Sequence, residues 1–370
     1  MSLSALAGGV FHSGTDAEDD AAELRQLVDD IGRRSFDARL GQRTLPERFD
    51  DALWRNLEDT GLSRLTSTPD LGAGPVELAI VLRGLARHAA AVPIAETDLL
   101  GAWLGARAGL DLPEAGPLTV AIADAESTGG RITGTARQVP WTLAGAAVLL
   151  AAHIGDGLLV GVIDPDDRQL VRGHNLAGEP RDSIAFELPA DSFRTLDATV
   201  GDELTRRGAW ARCVQTIGAL DGAAELSVAH ARDRVQFGRT LSKFQSVQHS
   251  LAAMAGEIER ARAAATLAVA AAADHGFDSP GADYAVTVAK VVLGRVVPSV
   301  ATSAHQLHGA IGVTIEHQLW LSTTRAQSWI EEFGSTGHYA RRLGRVALAG
   351  AQDGVDPWDI MIGDARQSWL

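Results

Sequence analysis

The sequence has little cysteine and an excess of negative charge. One of its 370 residues is cysteine, Cys213, so no disulfide can form within the chain. Lys and Arg number 33 against 47 Asp and Glu, which gives a net charge of −14. An acidic surface repels phosphate backbones, so we expect no nucleic-acid partner. The cysteine usage and the lack of a secretion signal lead us to expect a reducing cytoplasm.

Long hydrophobic runs and nucleotide-binding fingerprints are also missing. The most apolar stretch, Ala263 to Ala273, is shorter than the roughly 20 residues that cross a bilayer, so we expect no membrane contact. The stretch from Tyr284 to Val300 carries Lys290 and Pro298 and indicates a buried helix that ends at the proline, although the helical pattern runs on to Leu307. No glycine-rich Rossmann fingerprint and no alternation of strands and helices is present.

Helical patterns flank a run of short strands. The expected order is an N-terminal helical domain over residues 1–116, a small antiparallel β domain over 117–198 and a C-terminal four-helix bundle over 199–370, which is an α+β fold. Glycine-rich turns separate the strands. The predicted strands are Leu118 to Asp124, Arg131 to Val139, Ala146 to His153, Gly157 to Asp164 and Ser183 to Glu187.

A basic and aromatic loop lies between two predicted helices of the C-terminal third. One helix ends near Arg234, the loop carries Phe237 and Gly238, and the next helix begins near Phe244. A guanidinium, amide donors and an aromatic ring together suit the pyrophosphate of a dinucleotide. The same residues could equally form a basic interhelix loop that Phe237 plugs, and the residues alone leave both interpretations open.

This segment resembles the acyl-CoA dehydrogenase family. The family carries an R-x-x-F-G motif, a glutamine in the next helix and then an apolar stretch. The matching residues here are Arg234, Phe237, Gly238, Gln245, Leu251, Ala252 and Met254. A second match, Gln306 to Gly312, is close to the family's Q-x-x-G-G-x-G, and Glu316 and His317 follow it. With the domain order, the resemblance extends over nearly the whole chain.

The resemblance implies FAD as cofactor and an acyl-CoA thioester as substrate in lipid metabolism. In the family these motifs reach across a subunit interface to FAD bound mainly by the neighbour. It therefore also implies a homo- or hetero-oligomer, a dimer or tetramer with shared FAD sites. The cofactor-binding residues carried over are Arg234, Gln236, Phe237, Gln245, Gln306, Gly309 and Gly312. Trp141 is added as a partial substitute for a flavin-facing tryptophan, although it could instead be a packed aromatic at a strand end.

The chain departs from the family at two places. Where the family has a T-E-x-x-x-G-S-D-like loop beside the flavin, this chain has Ala123 to Thr128. The second departure concerns the carboxylate that removes the substrate's α-proton while the flavin takes the β-hydride. Aligned on Gly334, the family's glutamate position holds Phe333, and its other known position falls at or near Gly208.

Glu332 is the candidate catalytic base. It precedes Phe333, and a one-residue bulge would bring it to the family's position, although a solvated acidic pair with Glu331 is the alternative. Glu203 is a weaker candidate. His305 and His308 flank Gln306, but no cysteine or carboxylate joins them at metal-binding spacing, so we expect no metal.

Three functions are consistent with these patterns. The first is a catalytic FAD-dependent acyl-CoA dehydrogenase that oxidises a Cα–Cβ bond. The second is a non-catalytic subunit of a heteromeric acyl-CoA dehydrogenase that contributes to its partner's FAD site. The third is a flavin-dependent oxygenase of the related fold. The missing glutamates and the altered loop favour a paired subunit.

Overall fold

The structure is a computed structural model that describes residues 16–41, 44–164, 169–315 and 317–352. The chain divides into two compact units. We call the described residues of Met1–Asp29, Pro75–Ala89 and Ala209–Leu370 the bundle unit, and those of Asp30–Gly74 and Ala90–Gly208 the sheet unit. The expected division at residues 116 and 198 stays a prediction. Glu316, one of the motif residues, lies outside the described residues.

Helices precede and follow the strands, as the sequence predicts. The helices are α1 (Asp16–Ala38), α2 (Asp51–Asp59), α3 (Pro75–Arg87), α4 (Trp103–Ala108), α5 (Ala198–Asp233), α6 (Gln245–His275), α7 (Pro280–His308), α8 (Gln318–Glu331) and α9 (Thr336–Gln352). A π-helix, Ala95–Ala102, runs directly into α4. The α+β class with a C-terminal helical domain is therefore confirmed.

The sheet unit carries a seven-stranded sheet in the order β5-β6-β2-β1-β3-β4-β7. Its strands are β1 (Leu118–Thr128), β2 (Arg131–Pro140), β3 (Ala147–Ile154), β4 (Gly157–Ile163), β5 (Gln169–Val171), β6 (Arg181–Pro189) and β7 (Arg194–Leu196). The first and third strands pair in parallel, and the other pairs are antiparallel.

The parallel pair departs from the expected fully antiparallel sheet. After β2 the chain turns at Trp141 and returns on the other side of β1, where the Ala146 amide donates to the Pro117 carbonyl at 2.6 Å. β3 then starts beside the start of β1, with Ala147 opposite Leu118. It therefore runs in the same direction as β1.

The bundle unit is held together across its helices by buried polar groups. Asp221 of α5 accepts from Arg83 of α3 at 2.7 Å and from Arg262 of α6 at 2.8 Å. Because all three side chains are mostly buried, this triad fixes three helices relative to one another. The C-terminal ends of α5 and α7 carry the motif residues, so the packing of these helices positions them.

Helix α7 differs from the expectation that it ends at Pro298. The helix continues through Pro298 to His308. Pro298 lies on an exposed face, where water can hydrogen-bond the carbonyl that loses its partner, and buried residues on both sides keep the helix packed. Pro280–Val313 is long and apolar enough to cross a membrane, but 61% of its most apolar window is buried inside the structure. This marks a core helix.

Candidate functional site

The R-x-x-F-G motif forms a tight exposed hairpin at the end of α5. The hairpin consists of β8 (Val235–Gln236) and β9 (Arg239–Thr240). At its tip Phe237 and Gly238 have φ values of 52° and 75°. Only the glycine adopts such a value without strain. The Phe237 side chain is 91% exposed, so it does not plug the bundle.

Arginine and glutamine side chains lie beside this tip. With its amide oxygen turned toward the guanidinium, Gln236 accepts from Arg234 Nη2 at 2.9 Å. Both side chains are exposed, as is Gln245 at the first position of α6. The Phe244 ring lies 6.2 Å from the Phe237 ring, edge to face. The hairpin therefore presents a guanidinium, two amides and an aromatic ring on one exposed element.

The second motif closes the C-terminal end of α7. Gly309 follows the helix with φ 67°, and a short 3-10 turn, Gly309–Val313, leads to Thr314. A side chain at Gly309 would meet no atom within 4 Å, whereas one at Gly312 would lie 2.8 Å from the Cβ of His308. Gly309 is therefore required for backbone conformation, and Gly312 for packing within this chain.

An open groove of about 540 Å³ runs along this motif. It is lined by Ala301, Thr302, His305, Gln306, Gly309, Ala310, Val313 and Gln327. Gln306 is exposed on the last turn of α7. The last turn of α7 contacts the last turns of α5, because the rings of His308 and His230 stack with centroids 4.4 Å apart. The structure thus brings the ends of α5 and α7 together.

Trp141 belongs to the sheet unit and is 4% exposed. Its ring lies edge-on to Phe49 at 6.2 Å, and its φ of 52° comes from the turn that leads into β3. The neighbouring Thr142 is fully buried and donates to Asp182. Within this unit, Trp141 fills the core at the end of β2. Its cofactor role stays a prediction.

Glu332 lies just after α8 and is engaged with an arginine. The Nε of Arg212, a residue of α5 that is 2% exposed, donates to the Glu332 carboxylate at 2.6 Å. The Glu332 side chain is 20% exposed. Arg212 also donates to Gln215 at 2.6 Å. The ion pair engages the Oε2 atom of the carboxylate and ties Glu332 to α5.

The backbone of this turn is fixed as well. Lys290 of α7 is buried and donates to the Ile330 carbonyl and, at 2.8 Å, to the Glu332 carbonyl. The hydroxyl of Tyr339 donates to the Phe333 carbonyl at 2.8 Å. Burial lowers the pKa of Lys290 to about 8. Burial also raises the pKa of the neighbouring Cys213 thiol to about 12, which makes it a packed thiol rather than a nucleophile.

Sequence reasoning missed Arg212, Lys290 and Tyr339. The available signal was a single cation inside an otherwise apolar helical stretch, which applies to both Arg212 and Lys290. No local pattern in the sequence could pair Arg212 with Glu332, which lies 120 residues further along the chain. The weaker candidate base, Glu203, forms an ion pair at 2.8 Å with Arg207 one turn further along α5.

Comparison with known proteins gives a family. Residues 202–345 match the family described as acyl-CoA dehydrogenase, C-terminal domain. This range includes the hairpin, the groove and the Glu332 turn. The C-terminal part of the chain is thus similar to the corresponding domain of acyl-CoA dehydrogenases. The suspected resemblance to this family, whose members are flavoprotein oxidoreductases of lipid metabolism, is therefore confirmed.

Individual relatives support the same assignment along most of the chain. The acyl-CoA dehydrogenase IpdE2 of Mycolicibacterium smegmatis is 28% identical over 302 residues, which cover 80% of this chain and 88% of the relative. The ChsE4–ChsE5 complex of Mycobacterium tuberculosis contains a chain with TM-score 0.77 and 26% identity, covering 91% of this chain and 98% of that one. A structure of a Tcur3481–Tcur3483 steroid ACAD variant contains a chain with TM-score 0.79 and 25% identity, covering 90% of this chain and 99% of that one.

Proposed function

We propose that this chain is a subunit of an FAD-dependent acyl-CoA dehydrogenase and contributes its hairpin and groove to FAD held mainly by a neighbouring subunit. The observation that carries the proposal is the full exposure of the Phe237 ring on a strained hairpin tip. An isolated chain gains nothing from an aromatic ring exposed in this way, whereas a ligand or partner that covers it buries apolar surface.

The residues at this site fit FAD. The exposed Arg234 guanidinium suits a pyrophosphate, since arginine binds such oxygens through two parallel hydrogen bonds. The Phe237 face suits a flat heterocycle, and the open backbone at Gly309 allows close approach. Gln236, Gln245 and Gln306 add exposed amides that can donate or accept. When bound, FAD supplies the acceptor for the hydride removed from the acyl-CoA β-carbon.

The neighbouring subunit is proposed to be a different chain that supplies the base. In this chain Phe333 occupies the expected glutamate position, and Glu332 is paired with buried Arg212. Two similar solved structures are of assemblies named for two different proteins, the ChsE4–ChsE5 complex and the Tcur3481–Tcur3483 ACAD. The assembly would therefore perform α,β-dehydrogenation of an acyl-CoA thioester, with this chain contributing its hairpin and groove to the cofactor site.

A second candidate keeps catalysis in this chain with Glu332 as the base. One observation favours it. The Glu332 side chain remains 20% exposed, in a turn where the next two residues, Phe333 and Gly334, have φ values of 54° and 106°. Rotation away from Arg212 would present the carboxylate to solvent or substrate. This candidate predicts a homo-oligomer that turns over acyl-CoA without a second protein.

Purification of the tagged full-length chain from its own host tests the proposal. We expect an acyl-CoA dehydrogenase-like second protein at equal stoichiometry, flavin absorption in the complex, and a colourless chain when it is expressed alone. The Phe237→Ala complex should lose flavin, while the control Leu348→Ala, which alters an exposed apolar residue of α9 outside the groove lining, should retain it. A yellow homo-oligomer that reduces a dye with acyl-CoA would instead establish the second candidate.

A further inference from the structure

Three histidine rings form a continuous stack in the bundle unit. His230 of α5 and His308 of α7 stack with centroids 4.4 Å apart and planes 25° apart. His308 in turn meets His317, the N-cap residue of α8, with centroids 4.9 Å apart and an edge-on angle of 68°. The ends of α5 and α7 and the start of α8 therefore converge on these rings.

The hydrogen bonds of the stack are made at Nδ1 atoms. His308 is 6% exposed, its Nδ1 lies 2.9 Å from the Ala304 carbonyl, and its Nε2 is buried without a hydrogen-bond partner. The Nδ1–H of His308 donates to that carbonyl. His317 uses its Nδ1 to accept from the Leu319 amide at 3.1 Å. These bonds fix the orientation of both rings.

The surroundings lower the pKa of two histidines at this place. Burial, His308 and Arg234 lower the pKa of His230, and Asp233 opposes them. Burial and then His308 lower the pKa of His305, whose Nε2 contacts Thr323 at 2.9 Å. The groups that face the stack in the described residues are thus Asp233 and Arg234 from α5, His305 from α7 and the three rings themselves. For His230, Asp233 does not offset burial, His308 and Arg234.

The stack also lies between the two elements assigned to the cofactor. The Arg234 amide donates to the His230 carbonyl at 2.9 Å, so His230 sits one helical turn below the hairpin arginine. His308 directly precedes Gly309, and Gly312 packs against its Cβ. The end of α5, which leads into the hairpin, and the end of α7, which borders the groove, therefore meet through His230 and His308.

We propose that His230, His308 and His317 are positioning residues that hold the Arg234 hairpin against the Gln306 groove, and that acidification releases this arrangement. The significance for FAD rests on the proposed function, but the coupling itself is a property of this chain. Because the folded-state pKa values of His230 and His305 are lowered, the stabilisation is complete above their ordinary value of 6.5 and is lost as the pH falls below it.

Hydrogen exchange on the full-length chain without cofactor tests the coupling. Exchange is compared at about pH 7.5 and about pH 5, the range in which histidine titrates, after correction for intrinsic rates. Peptides that contain the last turns of α5 and α7 should lose protection together by about fivefold at the lower pH, which the repulsion between a charged His230 ring and the Arg234 guanidinium accounts for.

Non-titrating rings provide the decisive variants. His230→Phe keeps a ring at the stack and should make the protection of both helix ends independent of pH. His308→Phe is a second variant with the same expectation, in case one of them folds poorly. His249→Phe replaces an exposed histidine of α6 and should behave as the wild type.

Two results would overturn the inference: protection that does not change with pH in the wild type, or a pH response that survives in both stack variants. Flavin content is measured separately in the complex. A chain that passes the exchange test but never contributes to FAD would refute the proposed function and leave the coupling standing.

Discussion

The hairpin at residues 235–240 and the turn at residues 331–334 follow helices of the same bundle unit, yet their side chains are used in opposite ways. At the hairpin, Arg234, Gln236 and Phe237 are exposed. At the turn, Arg212 holds the Glu332 carboxylate, while Lys290 and Tyr339 hold the backbone. The comparison indicates a chain whose polar groups are available to a neighbour at one end and committed to its own stability at the other.

Removing the buried guanidinium from the turn should produce the largest effect. Arg212→Ala leaves Glu332 and Gln215 without their donor in a mostly buried place. Breaking such a pair costs about 3 kcal/mol of unfolding free energy. Denaturant unfolding measures the change, with Arg345→Ala on the exposed face of α9 as control, expected within about 0.5 kcal/mol of wild type. A loss below about 1 kcal/mol would contradict a structural role for the pair.

Removing the exposed guanidinium from the hairpin should leave stability unchanged but weaken cofactor binding. A charge-assisted hydrogen bond contributes about 1.5–3 kcal/mol, so Arg234→Ala should reduce the FAD affinity of the purified complex by roughly 10- to 100-fold. The control Arg232→Ala alters another exposed arginine two positions earlier. FAD affinity is measured by fluorescence titration. Equal affinity in both variants would show that Arg234 does not bind FAD.

The turn should also show a pH dependence that the hairpin lacks. The pKa of Lys290 falls from 10.5 to about 8 on folding, so the unfolded chain binds more protons above pH 8 and stability rises with pH. The Cys213 thiol, whose pKa rises from 9.0 to about 12, opposes this above pH 9 because the unfolded thiol loses its proton first. Each slope is at most about 1.4 kcal/mol per pH unit.

Two variants separate these contributions. Lys290→Met should lose the rise in unfolding free energy between pH 8 and 9 that the wild type shows. Cys213→Ala should retain that rise and extend it above pH 9. Urea unfolding at a series of pH values measures both slopes. Identical profiles for wild type and Lys290→Met would show that the lysine is not charged and buried as the structure has it.

The sequence was informative where local pattern decides structure. The helix that the sequence predicts to begin near Phe244 begins at Gln245, one residue later. The strands were recognisable from their turns, but the parallel pairing of β1 with β3 depends on where the chain returns after Trp141, which no local pattern contains. Likewise, Pro298 suggested a helix end, and tertiary packing of α7 overrode it.

The site shows the same division. The exposed motif residues could be named from the sequence because a resemblance supplied them, and their cofactor roles stay predictions. The Arg212–Glu332 pair joins two helices across 120 residues of chain, and the His230–His308 stack joins two more. Both depend on packing that brings distant helix ends together, and a linear pattern holds no record of it.

Turnover of the intact complex carrying Glu332→Gln tests the central claim most directly. Glutamine preserves the acceptor for Arg212 but cannot take a proton, and Glu331→Gln serves as the neighbouring control. If this chain serves the cofactor and leaves the base to its neighbour, kcat with acyl-CoA should stay within about twofold of wild type for both variants. A loss of roughly 100-fold or more in Glu332→Gln alone would contradict the account and place the base in this chain.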